Sequence, residues 1–310
     1  LKFSPDIVVF LTDDILSELI ASETEINLGS ESLNQSKFQE LLSKGEVQAV
    51  FPKVIDYFTD KLLNHQIKFI DLGKILAQEM GESQILFWTN DLDVEKSLLS
   101  QNYSGSIRDR ECHSGMQSAR LCLSQTTHLS ISNHSLVPLN TYLKHDIKHT
   151  VYLDTSKIGH QYIINYSYQK NTPLLNRNLV EIYQTYLPQG SILKSISVDA
   201  QPLGLSNLFA QSEIGLDRYQ FPVATSFNSP HQVIIDFDFP LSETVKLPIA
   251  YSFTELRQFG SHSPGISLEI NHPLSIRPSA VTSEITSKSG KILYQFPLKT
   301  STFGVHFVPN

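Results

Sequence analysis

Two cysteines, three arginines and a histidine crowd into "SIRDRECHSGMQSARLC", the opening of the stretch from residue 106 to 132. Thiolates and imidazoles hold zinc, paired thiols exchange electrons, and guanidinium groups grip phosphate or carboxylate in bidentate fashion. Cys112, His113 and Cys122 supply three ligands where a structural zinc site takes four at tight spacings, so no metal is expected. There is no Cys-x-x-Cys redox pair either. Nine residues separate the two cysteines, and Ser114, Gly115 and Ser118 among them make the connection flexible enough to bring the sulfurs together. Such a bridge would remove about 2–3 kcal/mol of unfolded-chain entropy in the loop-closure picture. Two unrelated thiols remain the competing reading, because free cysteine is a common core residue.

Arg108, Arg110 and Arg120 are candidate anion-binding groups. Against that role, Arg108-Asp109-Arg110-Glu111 reads as a self-neutralising, solvated charge run. Eleven histidines are scattered along the chain; His145 and His149 are four apart but sit in a strand-like segment, where they are expected to decorate the surface. Asp236 and Asp238 alternate with Ile235, Phe237 and Phe239, which turns the acids outward and the apolar side chains inward. Neither a Gly-rich phosphate loop nor a Gly-x-Ser-x-Gly elbow occurs. No catalytic residue is assigned.

The elements that must carry these groups change character along the chain. "DIVVFL" reads as a strand, and "DDILSELIAS" as a helix with acids in its first turn. "EINL" is a second strand, and "NQSKFQELLSKG" a helix capped by Asn34 or Ser36 and stopped by Gly45. Val50, Val54, Ile55, Phe58, Leu62 and Leu63 recur every three or four residues, predicting an amphipathic helix. A further helix is expected over residues 67–81, then the strand "QILFWT" and a helix capped by Asp91 or Asp93. From "HLSISN" onward the helical period gives way to short alternating segments such as "HQYIINYSY", "HQVIIDFDF" and "GISLEI". The expectation is an α+β chain: an α/β domain with a mixed sheet over residues 1–155, then a β-sandwich over residues 156–310.

A net charge of −7 with a pI near 5.9 argues against a nucleic-acid binder, which needs a basic surface to displace counterions. No window reaches the roughly 20 apolar residues of a membrane-spanning helix, and "LKFSPDIVVFLTDD" lacks the pattern of a signal peptide. The chain therefore reads as a processed or cut-out piece whose membrane anchor, if it has one, lies elsewhere.

The segments "FSPDIVVFLTDDILSELI", "INLGSESLNQSKFQELLS", "QILFWTNDLDVEKSLLSQNYSGSI", "CLSQTTHLSISNHSLVPLNTYLKHDI" and "EIYQTYLPQGSIL" together resemble the bacterial domain-of-unknown-function family 4012, with Tyr103 and Gly105 at the family's aromatic and glycine positions. The sequence departs from the family at Gln125 or Thr126, where an aspartate is usual, and at Val137-Pro138 in place of Asn-Lys, while Asn133 is kept. The resemblance implies a membrane-anchored, extracytoplasmic envelope protein, truncated here on its amino-terminal side, with cell-wall or envelope components as partners. It also implies an oxidising compartment, which favours a disulfide between Cys112 and Cys122. A non-catalytic binding or structural module needing no cofactor is the first expectation. The family's α/β part is distantly similar to the LytR-CpsA-Psr group, and the alternative is a phosphotransferase acting on lipid-pyrophosphate-linked glycopolymers. There Arg108, Arg110 or Arg120 would hold pyrophosphate and acidic residues would hold magnesium.

Overall fold

A computed structural model describes residues 7–11, 13–21, 23, 25–29, 31–44, 46, 49–64, 85–100, 104–107, 112, 116, 122–133, 143–168, 179–205, 208–213, 215–226, 229–241, 249–256, 266–283, 285–296 and 301–310. Described residues up to Ser106 form one compact unit and those from Ile107 onward form another.

The first unit alternates strands and helices: β1 (Ile7–Leu11), α1 (Asp13–Ala21), β2 (Ile26–Asn27), β3 (Ser32–Leu33), α2 (Gln35–Lys44), α3 (Phe51–Leu63), β4 (Ile85–Thr89) and α4 (Leu92–Ser100). The helix expected over residues 67–81 lies outside the described residues. Asn34 caps α2, its side-chain oxygen accepting the Lys37 amide at 2.9 Å, and Asp91 caps α4 by accepting the amides of Asp93 and Val94 at 2.9 and 3.1 Å. Leu16, Leu19 and Ile20 of α1 pack with Ile26, Leu33, Phe38, Val54 and Phe58 in one apolar cluster. β1 pairs antiparallel with β4, and β2 with β3. Glu95 of α4 is buried and accepts hydrogen bonds from the Ser104 and Ser106 hydroxyls at 2.5 and 2.6 Å, tying the segment after α4 back toward β4.

The second unit contains β5 (Cys122–Asn133), β6 (Leu143–Leu153), β7 (Lys157–Tyr168), β8 (Leu179–Pro188), β9 (Ile192–Val198), β10 (Gln201–Pro202), β11 (Phe209–Glu213) and β12 (Leu216–Thr225). It continues with β13 (His231–Pro240), β14 (Ile249–Leu256), β15 (Ile266–Asn271), β16 (Ile276–Val281), β17 (Thr286–Lys288), β18 (Lys291–Gln295) and β19 (Ser301–Pro309). These strands form an eight-stranded sheet, ordered β10-β9-β13-β7-β6-β15-β18-β17, and a seven-stranded sheet, ordered β11-β12-β8-β5-β14-β19-β16. Both sheets are mixed, because β5 runs parallel to β14 and β6 parallel to β15 while the remaining neighbours are antiparallel. The chain is thus α+β with strands predominating.

The division expected at 155/156 falls in the turn of the β6–β7 hairpin, which is paired from Leu143↔Tyr168 to Leu153↔Ile158. The units separate instead near Ser106. β5 and β6 find their parallel partners, β14 and β15, far along the chain, and a local pattern cannot register a pairing of that range.

Alternation gives each strand an inward and an outward face. Val151 and Ile158 of the eight-stranded sheet share one buried cluster with Tyr251, Phe253, Phe303, Val305 and Phe307 of the seven-stranded sheet. Val233, Ile235 and Phe237 are buried, while Asp236 and Asp238 take the other face as the alternation predicted. There Asp238 pairs with Lys157 at 2.7 Å and Lys194 at 3.2 Å.

Candidate functional site

Cys112 and Cys122 form a disulfide with their Cα atoms 6.4 Å apart. It closes a loop onto the first residue of β5. His113, Arg108, Arg110 and Arg120 lie outside the described residues. Met116, inside the same loop, is buried, and its side chain lies against Gly304 of β19. The loop is therefore closed by a covalent bond and also pinned by an apolar contact.

Among the described residues the densest set of groups able to do chemistry lies within the second unit, on inward-facing positions of both sheets. Thr127 of β5, Tyr162 of β7 and Glu255 of β14 are 1–3% exposed. Their oxygens form a triangle: Thr127 Oγ1 to Tyr162 Oη 2.5 Å, Thr127 Oγ1 to Glu255 Oε2 2.7 Å, and Tyr162 Oη to Glu255 Oε2 2.6 Å. The Tyr162 ring stacks on His149 of β6 at 4.0 Å. His149 Nε2 lies 3.0 Å from His160 Nδ1, and the His160 ring stacks on Phe237 at 4.4 Å. On the seven-stranded sheet the Tyr251 hydroxyl donates to Gln125 Oε1 at 2.8 Å.

Burial dominates the electrostatics of this layer. It pushes the Glu255 carboxyl up to about 8, against the hydrogen bonds from Tyr162 and Thr127 that favour the carboxylate. It drives His160 down to about 3 and holds His149 well below the usual imidazole range, with His160 adding to the effect. The Tyr162 phenol is held far above its ordinary value by burial and then by Glu255. His149 Nδ1, His160 Nε2 and Gln125 Nε2 are buried without a hydrogen-bond partner among the described residues. One proton lies between the two imidazoles, so whichever ring donates it, their outer nitrogens present one donor and one acceptor. Among the described residues no group of three or more His, Cys, Asp or Glu side chains is placed to hold a metal ion.

His145 and His149 correct the expectation of a decorated surface: they are 5% and 0% exposed. The alternation that buried Ile147 and Val151 also buried these histidines, since i and i+4 share a strand face. Sequence reasoning missed Thr127, Tyr162 and Glu255 altogether, and met Gln125 only as a possible departure from the resembling family. One signal was present in "YSFTEL", where an acid alternates in phase with Tyr251 and Phe253. Gln125 and Thr126, one or other of which stands where the resembling family carries aspartate, are both buried.

Another array resembles a nucleophile relay. His231 Nδ1 lies 2.7 Å from Asp199 Oδ2, and its Nε2 is 3.2 and 3.4 Å from the hydroxyls of Ser226 and Ser229. That Nε2 already accepts the Ser226 amide at 3.0 Å, so its lone pair is occupied by the backbone. The array acts as a staple between the β12–β13 connection and the β9–β10 turn rather than as a poised base.

The chain matches no known family model and no curated protein. Solved structures that it resembles include a putative nutrient binding protein from Legionella pneumophila (6% identity, 59% of this chain and 70% of that one, TM-score 0.40). Another is an M1 zinc metallopeptidase from Deinococcus radiodurans (10% identity, 54% of this chain and 42% of that one, TM-score 0.24). A third is leukotriene A4 hydrolase from Saccharomyces cerevisiae (6% identity, 54% of this chain and 29% of that one, TM-score 0.28). The chain thus spans less than half the length of the two hydrolytic enzymes. Fold and site together describe a strand-dominated α+β protein whose larger unit carries a sealed polar layer.

Proposed function

We propose that this protein is an extracytoplasmic, membrane-anchored component of the bacterial cell envelope, of the kind found in domain-of-unknown-function family 4012. It acts as a non-catalytic binding or structural module. The two large sheets are read as a β-sandwich that presents its outer faces and edges to envelope or wall components, and the smaller unit as the family's α/β part. The observation that carries this reading is the Cys112–Cys122 disulfide, because such bonds persist in oxidising compartments and are rare where glutathione and thioredoxin keep thiols reduced. The acid–base groups of the polar layer support the non-catalytic half of the reading. They are buried and bonded to one another, whereas a general acid or base must reach its substrate.

The test uses the full-length protein expressed in a bacterial host. Protease added outside spheroplasts should digest it, and protein trapped with alkylating reagent at lysis should show both cysteines unmodified until it is reduced. Two alkylated cysteines in unreduced protein, or protection from external protease, would sink the envelope assignment. Turnover of a polyprenyl-pyrophosphate-linked glycan would overturn the non-catalytic one.

A further inference from the structure

Three oxygens in mutual contact need a proton on each edge of their triangle. Thr127 and Tyr162 each bring one hydroxyl proton, which is enough for two of the three contacts at 2.5, 2.7 and 2.6 Å. With Glu255 ionised, both hydroxyls would turn to the carboxylate. The Thr127–Tyr162 contact would then press two oxygens together at 2.5 Å with no hydrogen between them. A proton on Glu255 Oε2 completes the set: carboxyl to hydroxyl, hydroxyl to hydroxyl, hydroxyl back to carboxyl. The surroundings favour the same state. β5 brings Thr127 and Gln125, both uncharged; β6 brings His149, stacked on Tyr162; β7 brings Tyr162 and His160; and β14 itself adds Tyr251. Among the described residues no lysine or arginine pairs with Glu255, so a carboxylate there would be a buried charge without a counter-ion.

We propose that Glu255 is a neutral carboxylic acid in the folded protein and closes a three-proton ring joining β5 and β14 of one sheet to β7 of the other, a latch that opens when the carboxyl ionises. Opening needs no co-reactant, since the proton leaves to solvent and the two hydroxyls turn toward the new carboxylate. The ring makes the second unit pH-sensitive on its alkaline side. Glu255 has a folded value near 8 against 4.5 for the free group. Neutral-state stabilisation is complete below the lower value and lost as pH rises through the upper one. The histidines of the unfolded chain give up their remaining protons between about pH 6.5 and 8, a contribution of opposite sign that a change at Glu255 leaves in place.

The test compares wild type with Glu255→Gln, whose amide can donate into the ring as the neutral acid does but cannot ionise. From pH 6.5 to 7.5 the unfolding constant of the wild type divided by that of the variant should rise about eightfold, because the histidine contribution is common to both and cancels. A second readout needs no variant. Infrared spectra of protein carrying isotope-labelled glutamate should show a protonated-carboxyl carbonyl band at pH 7 that fades with a midpoint near 8. A ratio that stays flat over that range, or no such band at pH 7, would overturn the proposal.

Discussion

Gly304 shows how much one missing methyl group can hold in place. A Cβ at this position would come within 3.0 Å of both Met116 Cγ and Thr282 Cγ2. Met116 is buried at 5% exposure and has little room to retreat. Gly304→Ala should destabilise the second unit by about 1–3 kcal/mol, the usual penalty for overpacking. Chemical denaturation measures the loss, and adding Met116→Ala should recover part of it because the two changes share one space. Equal stability of Gly304→Ala and wild type would refute the close approach. Neither partner was legible beforehand. A glycine in a strand marks a bulge or a near neighbour, and nothing in the sequence says that the neighbour is a methionine almost two hundred residues earlier.

At the scale of elements, the disulfide loop and the β9–β10 hairpin make separate predictions. The bridge spans a sequence separation of 10, so replacing both cysteines by serine should cost about 2–3 kcal/mol. Reductant should lower the melting temperature of the wild type and leave that of the double variant unchanged. The hairpin turn places two consecutive non-glycine residues in the left-handed region, Asp199 at φ 49° and Ala200 at φ 62°. Asp199 is held there by His231 and by the Gln232 amide, which reaches Asp199 Oδ1 at 2.8 Å. No comparable hydrogen bond from a side chain is open to Ala200. Ala200→Gly should therefore raise stability by about 0.5–1 kcal/mol, read as a higher denaturant midpoint. Most element types were legible because their periods are local: Asn34 and Asp91 cap helices as expected, and β7, β13 and β15 fall where alternation put them. The unit boundary was not legible, because it depends on which strands pair.

For the whole molecule the acid side is governed by the buried imidazoles, of which the described residues include four. Burial depresses His128, His145, His149 and His160, taking His145 to about 4 and His160 to about 3. Their folded values lie below the unfolded value near 6.5. The stability they confer is therefore present above 6.5 and lost as pH falls, when the unfolded chain binds more protons. Each contributes a slope of up to about 1.4 kcal/mol per pH unit, so four together outweigh the opposite slope of the single Glu255 carboxyl. The urea midpoint at pH 5 should fall well below that at pH 7. His149→Gln should flatten this dependence by one group, and an unchanged slope would show that His149 is protonated in the folded state.

The sequence by itself determined what is periodic or compositional: helices then strands, their caps, the inward and outward faces, and a net negative charge. It also placed two cysteines close enough to bridge. Tertiary structure alone decided that Thr127, Tyr162 and Glu255, on three strands and two sheets, share one triangle of oxygens. It likewise decided that His145 and His149 face the core, that β5 and β6 belong with the strands after them, and that Met116 fills the space over Gly304. The reason is range. Helix and strand periods act over a few residues, whereas burial, proton sharing and sheet register depend on segments brought together from far apart along the chain.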